Sequence, residues 1–213
     1  MKHSKKLLLT LVVGIMTSLP LPAQGLFNWT RSNTDNYYGL RMGFAMSNIH
    51  SDNHLLQGGN YRMGLNVAAV IGISLSMESP LFIETGLAYS AKGGRGNIEG
   101  KRTTFDMNYL ELPIVAKYRI PVGDHFTVDP FVGGYFALGI SGRLKNYVDR
   151  TSRSSYGKDR FGRFDSGLRF GVGASYDLIY LEAAYDFGLA NLSRDAFESS
   201  HLRGLIVNLG VNF

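Results

Sequence analysis

The final nine residues, Leu205-Ile-Val-Asn-Leu-Gly-Val-Asn-Phe213, place Leu205, Val207, Leu209, Val211 and Phe213 on one face of an extended chain. Ile206, Asn208, Gly210 and Asn212 fall on the other face. A strict period of two is a strand signal. A strand that is apolar on one side, small or polar on the other and aromatic at its last position fits two settings. It can be the last strand of a soluble sandwich or the closing strand of a membrane barrel.

The same period recurs in seven earlier segments, near 36–47, 61–77, 81–92, 106–120, 126–141, 164–176 and 179–190, with the last near 203–213. In each, one face is continuously aliphatic or aromatic. Tyr38, Leu40, Met42, Phe44 and Met46 form that face in the first segment, and Leu168, Phe170, Val172, Ala174 and Tyr176 form it in the sixth. The other face is rich in Gly, Ala and charge. Such a face makes a poor oily core but fills a narrow interior well. The segments exceed the usual globular strand and are long enough to cross lipid at a tilt. The connections near 48–60, 93–105, 142–163 and 191–202 read as long, and those at 78–80, 121–125 and 177–178 as short. Alternating long loops and short turns suit a meander barrel. Closure leaves no unpaired backbone edge in hydrocarbon. The expected fold is all-β: an eight-stranded antiparallel up-and-down transmembrane β-barrel.

The N-terminus opens with Lys2, Lys5 and Lys6, continues through an apolar run from Leu7 to Leu19 and exits through Pro20-Leu-Pro-Ala-Gln-Gly25. This pattern is read as a secretory signal over 1–23, too short to span a bilayer. A periplasmic lead-in over 24–35 then precedes the barrel domain at 36–213. The chain has no cysteine, so an exported domain of this size depends on packing and a closed ladder rather than disulfides. The formal charge of +5 loses Lys2, Lys5 and Lys6 with the signal. The near-balance that remains gives no argument for a nucleic-acid partner. The expected location is the bacterial outer membrane, with both termini periplasmic because the strand number is even.

The inward faces carry Arg41, Arg62, Glu84, Lys92, Glu111, Lys117, Arg119, Asp129, Asp165, Arg169, Glu182 and Asp186. Eight strands enclose room only for side chains, and lone buried charges are costly. These groups must therefore pair. The reading is a lumen network of Glu84, Glu111 and Glu182 facing Arg41, Lys117 and Arg169, acting as a packed plug in preference to a gate. Pro113 falls inward within the fourth segment, where a missing donor calls for a bulge or a register one residue off.

Tyr109-Leu-Glu-Leu-Pro-Ile-Val-Ala-Lys-Tyr118 resembles the "YLELP" strand of the PorT-like outer-membrane β-barrel family. Weaker matches are Pro130–Leu138, Phe164–Gly173 and Tyr185–Ser193. The resemblance implies an eight-stranded outer-membrane barrel and suggests a role as an accessory of a protein-secretion system. It supplies no catalytic residues.

Chemical motifs are sparse, and no catalytic, metal or cofactor site is assigned. His50 and His54 flank Asp52, a set that could hold a divalent ion but reads more simply as a solvated loop. His201 beside Ser199, Ser200 and Glu198 is adjacency without a demonstrated triad. Gly93-Gly-Arg-Gly-Asn-Ile-Glu-Gly100 lacks the Lys-Ser/Thr of a phosphate loop and reads as a flexible external loop. The loop over 142–163 is more informative. It carries Arg143, Lys145, Arg150, Arg153, Lys158, Arg160 and Arg163 against Asp149 and Asp159, with Tyr147, Tyr156 and Phe161 interleaved. Arginine pairs bidentately with phosphate. The expected partners are outer-membrane lipid and lipopolysaccharide, with secretion-system or envelope proteins beside them. The function expected is a non-enzymatic structural or interaction role. The alternatives are a small-solute or ion channel and a surface enzyme acting on lipid or peptide.

Overall fold

The computed structural model describes residues 35–51, 61–76, 78–98, 101–146, 151–156, 162–192 and 200–213. Eight long strands form the wall: β1 (Tyr37–Ser51), β2 (Arg62–Ser74), β3 (Leu81–Ile98), β4 (Lys101–Tyr118), β5 (Phe126–Asn146), β6 (Phe164–Tyr176), β7 (Ile179–Gly188) and β8 (Ser200–Asn212). Each pairs antiparallel with its neighbours in sequence, and β8 pairs with β1 to close the ring. Two short pieces lie against β5: Ile120–Pro121, and Thr151–Ser154, which pairs with its far end.

The registers define the stagger. From Tyr37 the partners run to Gly72, Glu84, Val115, Gly133, Arg169, Asp186 and Gly204. The circuit then returns to β1 at Ser47. Such a stagger in eight strands tilts the staves by roughly 35–45° and leaves an interior that side chains fill.

The outer surface is apolar. Met42 is 64% exposed and Leu209, its partner, 59%. Leu65, Leu112, Val132, Phe136 and Phe170 are also exposed. A soluble monomer rarely shows so large a continuous apolar surface, whereas lipid solvates it. Tyr38, Tyr118, Phe126, Tyr176 and Phe213 ring the end where β1 starts and β8 finishes, with Tyr38 and Phe213 stacked at 6.5 Å. Tyr61, Phe136 and Phe164 mark the opposite rim. Two aromatic girdles around an apolar band are the arrangement a bilayer selects.

Beyond that second rim the pattern inverts. The outward residues become Asn48, His50, Asn108, Ser141 and Arg203, with the Asn108 amide donating to Ser141 Oγ at 2.9 Å. The inward residues become Ile49, Phe105, Met107 and Leu202, all buried together with Leu192 and Tyr156. The strands thus continue past the lipid as a water-exposed collar with an oily centre.

This collar corrects the connections expected from sequence. The hairpin of β3 and β4 runs to Ile98 and Lys101, so only 99–100 separates the strands. The expected long loop at 93–105, including the glycine-rich stretch, is largely strand. Glycines and a lost outer apolar face read as loop, but the ladder persists because water on the outside tolerates polar and small residues. The loop expected at 142–163 is likewise strand through Asn146, and 151–154 pairs back onto it.

Pro113 stays inward and the register holds. Pairing of β3 with β4 lapses between Thr85–Ile114 and Ala88–Glu111. There the Thr85 hydroxyl donates to the Pro113 carbonyl at 2.8 Å, while Pro113 remains opposite Tyr135 on β5. The missing N–H therefore falls on the β3 side. A bulge lies nearby, where Tyr109 faces Gly139 and Asn108 faces Ser141, leaving Ile140 unmatched.

Glycine makes room for tyrosine at two places. A Cβ at Gly72 would overlap the Tyr37 ring, and one at Gly173 would overlap Tyr180. Gly72→Val is expected to displace Tyr37 and lower unfolding stability by about 1–3 kcal/mol, read as a lower urea midpoint in detergent. An unchanged midpoint would show that Tyr37 does not depend on that slot.

Candidate functional site

The lumen gathers the charges in layers. Nearest the start of β1, Arg119 lies over the rings of Phe82 (4.7 Å) and Tyr37 (5.0 Å), 3.6 Å from Asp129. Next, Arg41 donates to Glu84 at 2.9 and 2.5 Å and to Glu182 at 2.7 Å. Lys117 donates to Glu84 at 2.6 Å and to the Tyr180 hydroxyl at 2.7 Å. Tyr37 donates its hydroxyl to Glu84, and Asn208 its amide to Glu182 at 2.9 Å.

A second cluster lies farther from the start of β1. Arg169 grips Asp186 with two nitrogens, at 2.6 and 2.8 Å, and Glu111 with one at 2.8 Å. Lys92 bridges the same two carboxylates at 2.5 Å to Glu111 and 2.7 Å to Asp186, with its Nζ 4.7 Å above the Tyr135 ring. Tyr135 donates to Asp165 at 3.1 Å. Above this cluster the apolar collar fills the axis. Arg62 pairs with Asp106 at 2.8 Å and donates to the Lys92 carbonyl at 3.0 Å, half-buried.

The six residues named from sequence therefore sit in two groups. Arg41, Glu84, Lys117 and Glu182 form one, and Glu111 and Arg169 belong to the other. Lys92 and Asp186 complete that second group. They were legible as inward charges, but nothing in their spacing marked them as cross-lumen partners. The small void between the groups is lined by Arg41, Asn66, Glu84, Arg169, Glu182 and Asn208 among others, and has room for about one or two waters. Among the described residues, Arg41 Nε, Asn66 Nδ2 and Asn208 Oδ1 show no hydrogen-bond partner, and their residues line this void.

Such a constellation can hold the wall together and block the axis. Lys92 (1% exposed), Glu111 (0%) and Asp186 (0%) are closed to water from both ends. Glu111 and Asp186 are each ion-paired with both Lys92 and Arg169, and carboxylates held between fixed cations are poor candidates for a general base.

In the basic connection, Arg143 on β5 and Arg163 are exposed, and Arg163 lies 5.5 Å over the Tyr156 ring. The Ser155 hydroxyl donates to the Asp106 carbonyl at 2.8 Å, and Gly162 N–H to the Leu192 carbonyl at 2.7 Å, tying the segment to the collar. The side chains of Lys145, Arg150, Arg153, Lys158 and Arg160 lie outside the described residues. So do Asp52, His54, Glu198 and Ser199. Ser200 is buried. No group of three or more potential metal ligands occurs among the described residues.

Residues 24–194 match a family model described as "Outer membrane protein beta-barrel domain". A search of curated proteins returns no match. Among solved structures, the attachment invasion locus protein Ail of Yersinia pestis is 12% identical, with a TM-score of 0.46, over 84% of this chain and 99% of that one. Neisserial surface protein A is 16% identical, with a TM-score of 0.47, over 85% and 98%. The N-terminal β-barrel domain of Pseudomonas aeruginosa OprF is 12% identical, with a TM-score of 0.36, over 82% and 97%. None of these likenesses bears on ligand or activity.

Proposed function

The chain belongs to the outer membrane protein beta-barrel domain family, and we propose that within it this protein is a non-enzymatic, non-conducting barrel with a structural or interaction role. The observation that carries this reading is the sealed lumen. A water-filled pore would expose Lys92, Glu111 and Asp186, and all three are buried. Reconstituted in planar bilayers, the barrel is expected to give no steady conductance above a few tens of picosiemens. Larger steps, abolished by closing the void with Asn208→Leu, would favour a channel instead.

In this reading the termini face the periplasm and the collar faces outward. Supporting this, the start of β1 and the end of β8 share their rim with the tight Asp177–Leu178 turn, whereas 147–163 and 189–199 connect strands at the other rim. The basic collar then meets lipopolysaccharide phosphates. A basic residue near an anionic surface contributes about 1 kcal/mol. Replacing Arg150, Arg153 and Arg160 together by Ser is thus expected to weaken binding to lipopolysaccharide-containing vesicles by about two orders of magnitude, with a shallower salt dependence. Unchanged binding across a salt titration would remove this partner.

The finer reading, a PorT-like accessory of protein secretion, draws on Tyr109-Leu-Glu-Leu-Pro113. Crosslinking in intact cells should then recover secretion-system components on the barrel. A deletion strain that exports its full set of proteins would count against it.

A further inference from the structure

Three buried polar groups without a hydrogen-bond partner among the described residues belong to side chains that meet at one place in the lumen. Arg41 Nε and Asn66 Nδ2 are donors and Asn208 Oδ1 is an acceptor. All three residues are buried and line the void between the two ion-pair groups. Each of the eight strands of the wall contributes to that lining, so the void lies within the closed ring. We propose that it is a binding site for a single ordered water molecule held by Arg41, Asn66 and Asn208, a site that exists only if the lumen is closed as proposed above.

The bonds already made decide which atoms are left over. Both Nη atoms of Arg41 are taken by carboxylates, at 2.9, 2.7 and 2.5 Å, and Nε remains. The Asn208 amide nitrogen donates to Glu182 at 2.9 Å. A carboxylate only accepts, so this bond fixes the amide with its oxygen as the group left to accept. A buried polar group left alone loses its hydration with nothing in return. Water accepts from the two donors and gives one hydrogen to Asn208 Oδ1. Its second hydrogen is left for Glu182, whose side chain also lines the void. Such an inventory matches the 2–4 bonds typical of a buried water. The size agrees as well: the space open to the centre of a water is about 20 Å3, and one water needs roughly 10–15 Å3.

Other small occupants fit the charges less well. An anion would meet the carboxylates of Glu84 and Glu182, and a metal cation the guanidinium groups of Arg41 and Arg169, all of which line the same space. An apolar guest would leave the three groups unsatisfied. Ala68, Val70, Ala88, Val115 and Phe131 complete the wall with Pro113. Their side chains offer no bond that would continue a water chain toward either rim, so the molecule is a fixed part of the plug and not a step along a path.

The test uses the full processed chain, isotopically labelled and folded in detergent, with rotating-frame NMR to separate a bound water from proton exchange. The parent should show direct water cross-peaks to the Arg41 Nε–H and to the Asn66 side-chain amide. Asn66→Leu fills the space with an apolar group. It should abolish the Arg41 cross-peak and lower the folding equilibrium constant about tenfold, because Arg41 Nε and Asn208 Oδ1 are then stranded. Asn66→Ala leaves room for a further water and should keep the Arg41 cross-peak. A dry void reverses the sign, since filling an empty cavity with Leu stabilises. No cross-peak in the parent, or an Asn66→Leu barrel at least as stable as the parent, would overturn the site. Where Asn66→Leu does not fold, the parent spectrum decides. A dry void in a barrel that gives no conductance would sink the water site and leave the plug standing.

Discussion

Replacing Arg41 by Met is expected to lower unfolding stability by about 3–5 kcal/mol, measured from urea titrations of the detergent-folded barrel. Arg41 is a single cation shared by two carboxylates, Glu84 and Glu182, all three buried. Removing it does not harm the two equally. Glu84 keeps Lys117 and the Tyr37 hydroxyl, whereas Glu182 keeps only the Asn208 amide among its described partners. The destabilisation therefore comes mainly from an uncompensated Glu182. The neighbouring void has room for a water beside that carboxylate, which places the loss toward the lower part of the range. Second substitutions separate this account from simple loss of packing. In the Arg41→Met background, Glu182→Gln should recover most of the loss. Glu84→Gln in the same background should deepen it, because it strips Lys117 of its carboxylate. Equal recovery from both would mean that the cluster acts only by volume.

These cross-lumen pairs show what the sequence can and cannot convey. That Arg41, Glu84, Lys117 and Glu182 point inward follows from the period of two, since each is flanked by residues that lipid solvates. That Arg41 on β1 meets Glu182 on β7, or that Lys92 on β3 meets Asp186 on β7, depends on the stagger that closes the ring. The stagger is a sum of eight registers, and an error in one moves every cross-lumen contact. The far ends of the strands were hidden for a different reason. Sequence reading looks for a constant apolar face, and past the lipid boundary that face changes sides. Ile49, Phe105 and Leu202 turn inward while Asn48, Asn108 and Arg203 turn outward, so a continuing ladder reads as the onset of loop. Pro113 is the converse case. Six apolar outward positions over 110–120 outweighed one residue that cannot donate, and the Thr85 hydroxyl on β3 takes up the carbonyl left beside it.

The boundary itself can be tested by a pair of arginines on the same strand. Met42 and Asn48 both project outward from β1. On a soluble protein an exposed side chain can usually be exchanged within about ±0.5 kcal/mol, so both Met42→Arg and Asn48→Arg would be mild. If acyl chains surround Met42, its replacement by Arg should cost about 2–4 kcal/mol, falling toward 0–1 near the interface. Met42 is opposed by Leu209 on β8 and Val67 on β2, with no described acid on that face to receive a guanidinium. Asn48 is opposed by Arg203 in the water-exposed collar, so its replacement adds only like-charge repulsion across a rung, a few tenths of a kcal/mol and reduced by salt. Folding free energies into phospholipid vesicles should therefore separate the two variants widely, and the gap should close in a detergent whose micelle relaxes around the charge. Equal and small effects in vesicles would mean that the Met42 face meets water. The sealed lumen would then be the core of an ordinary soluble barrel, and the membrane role would fall with it.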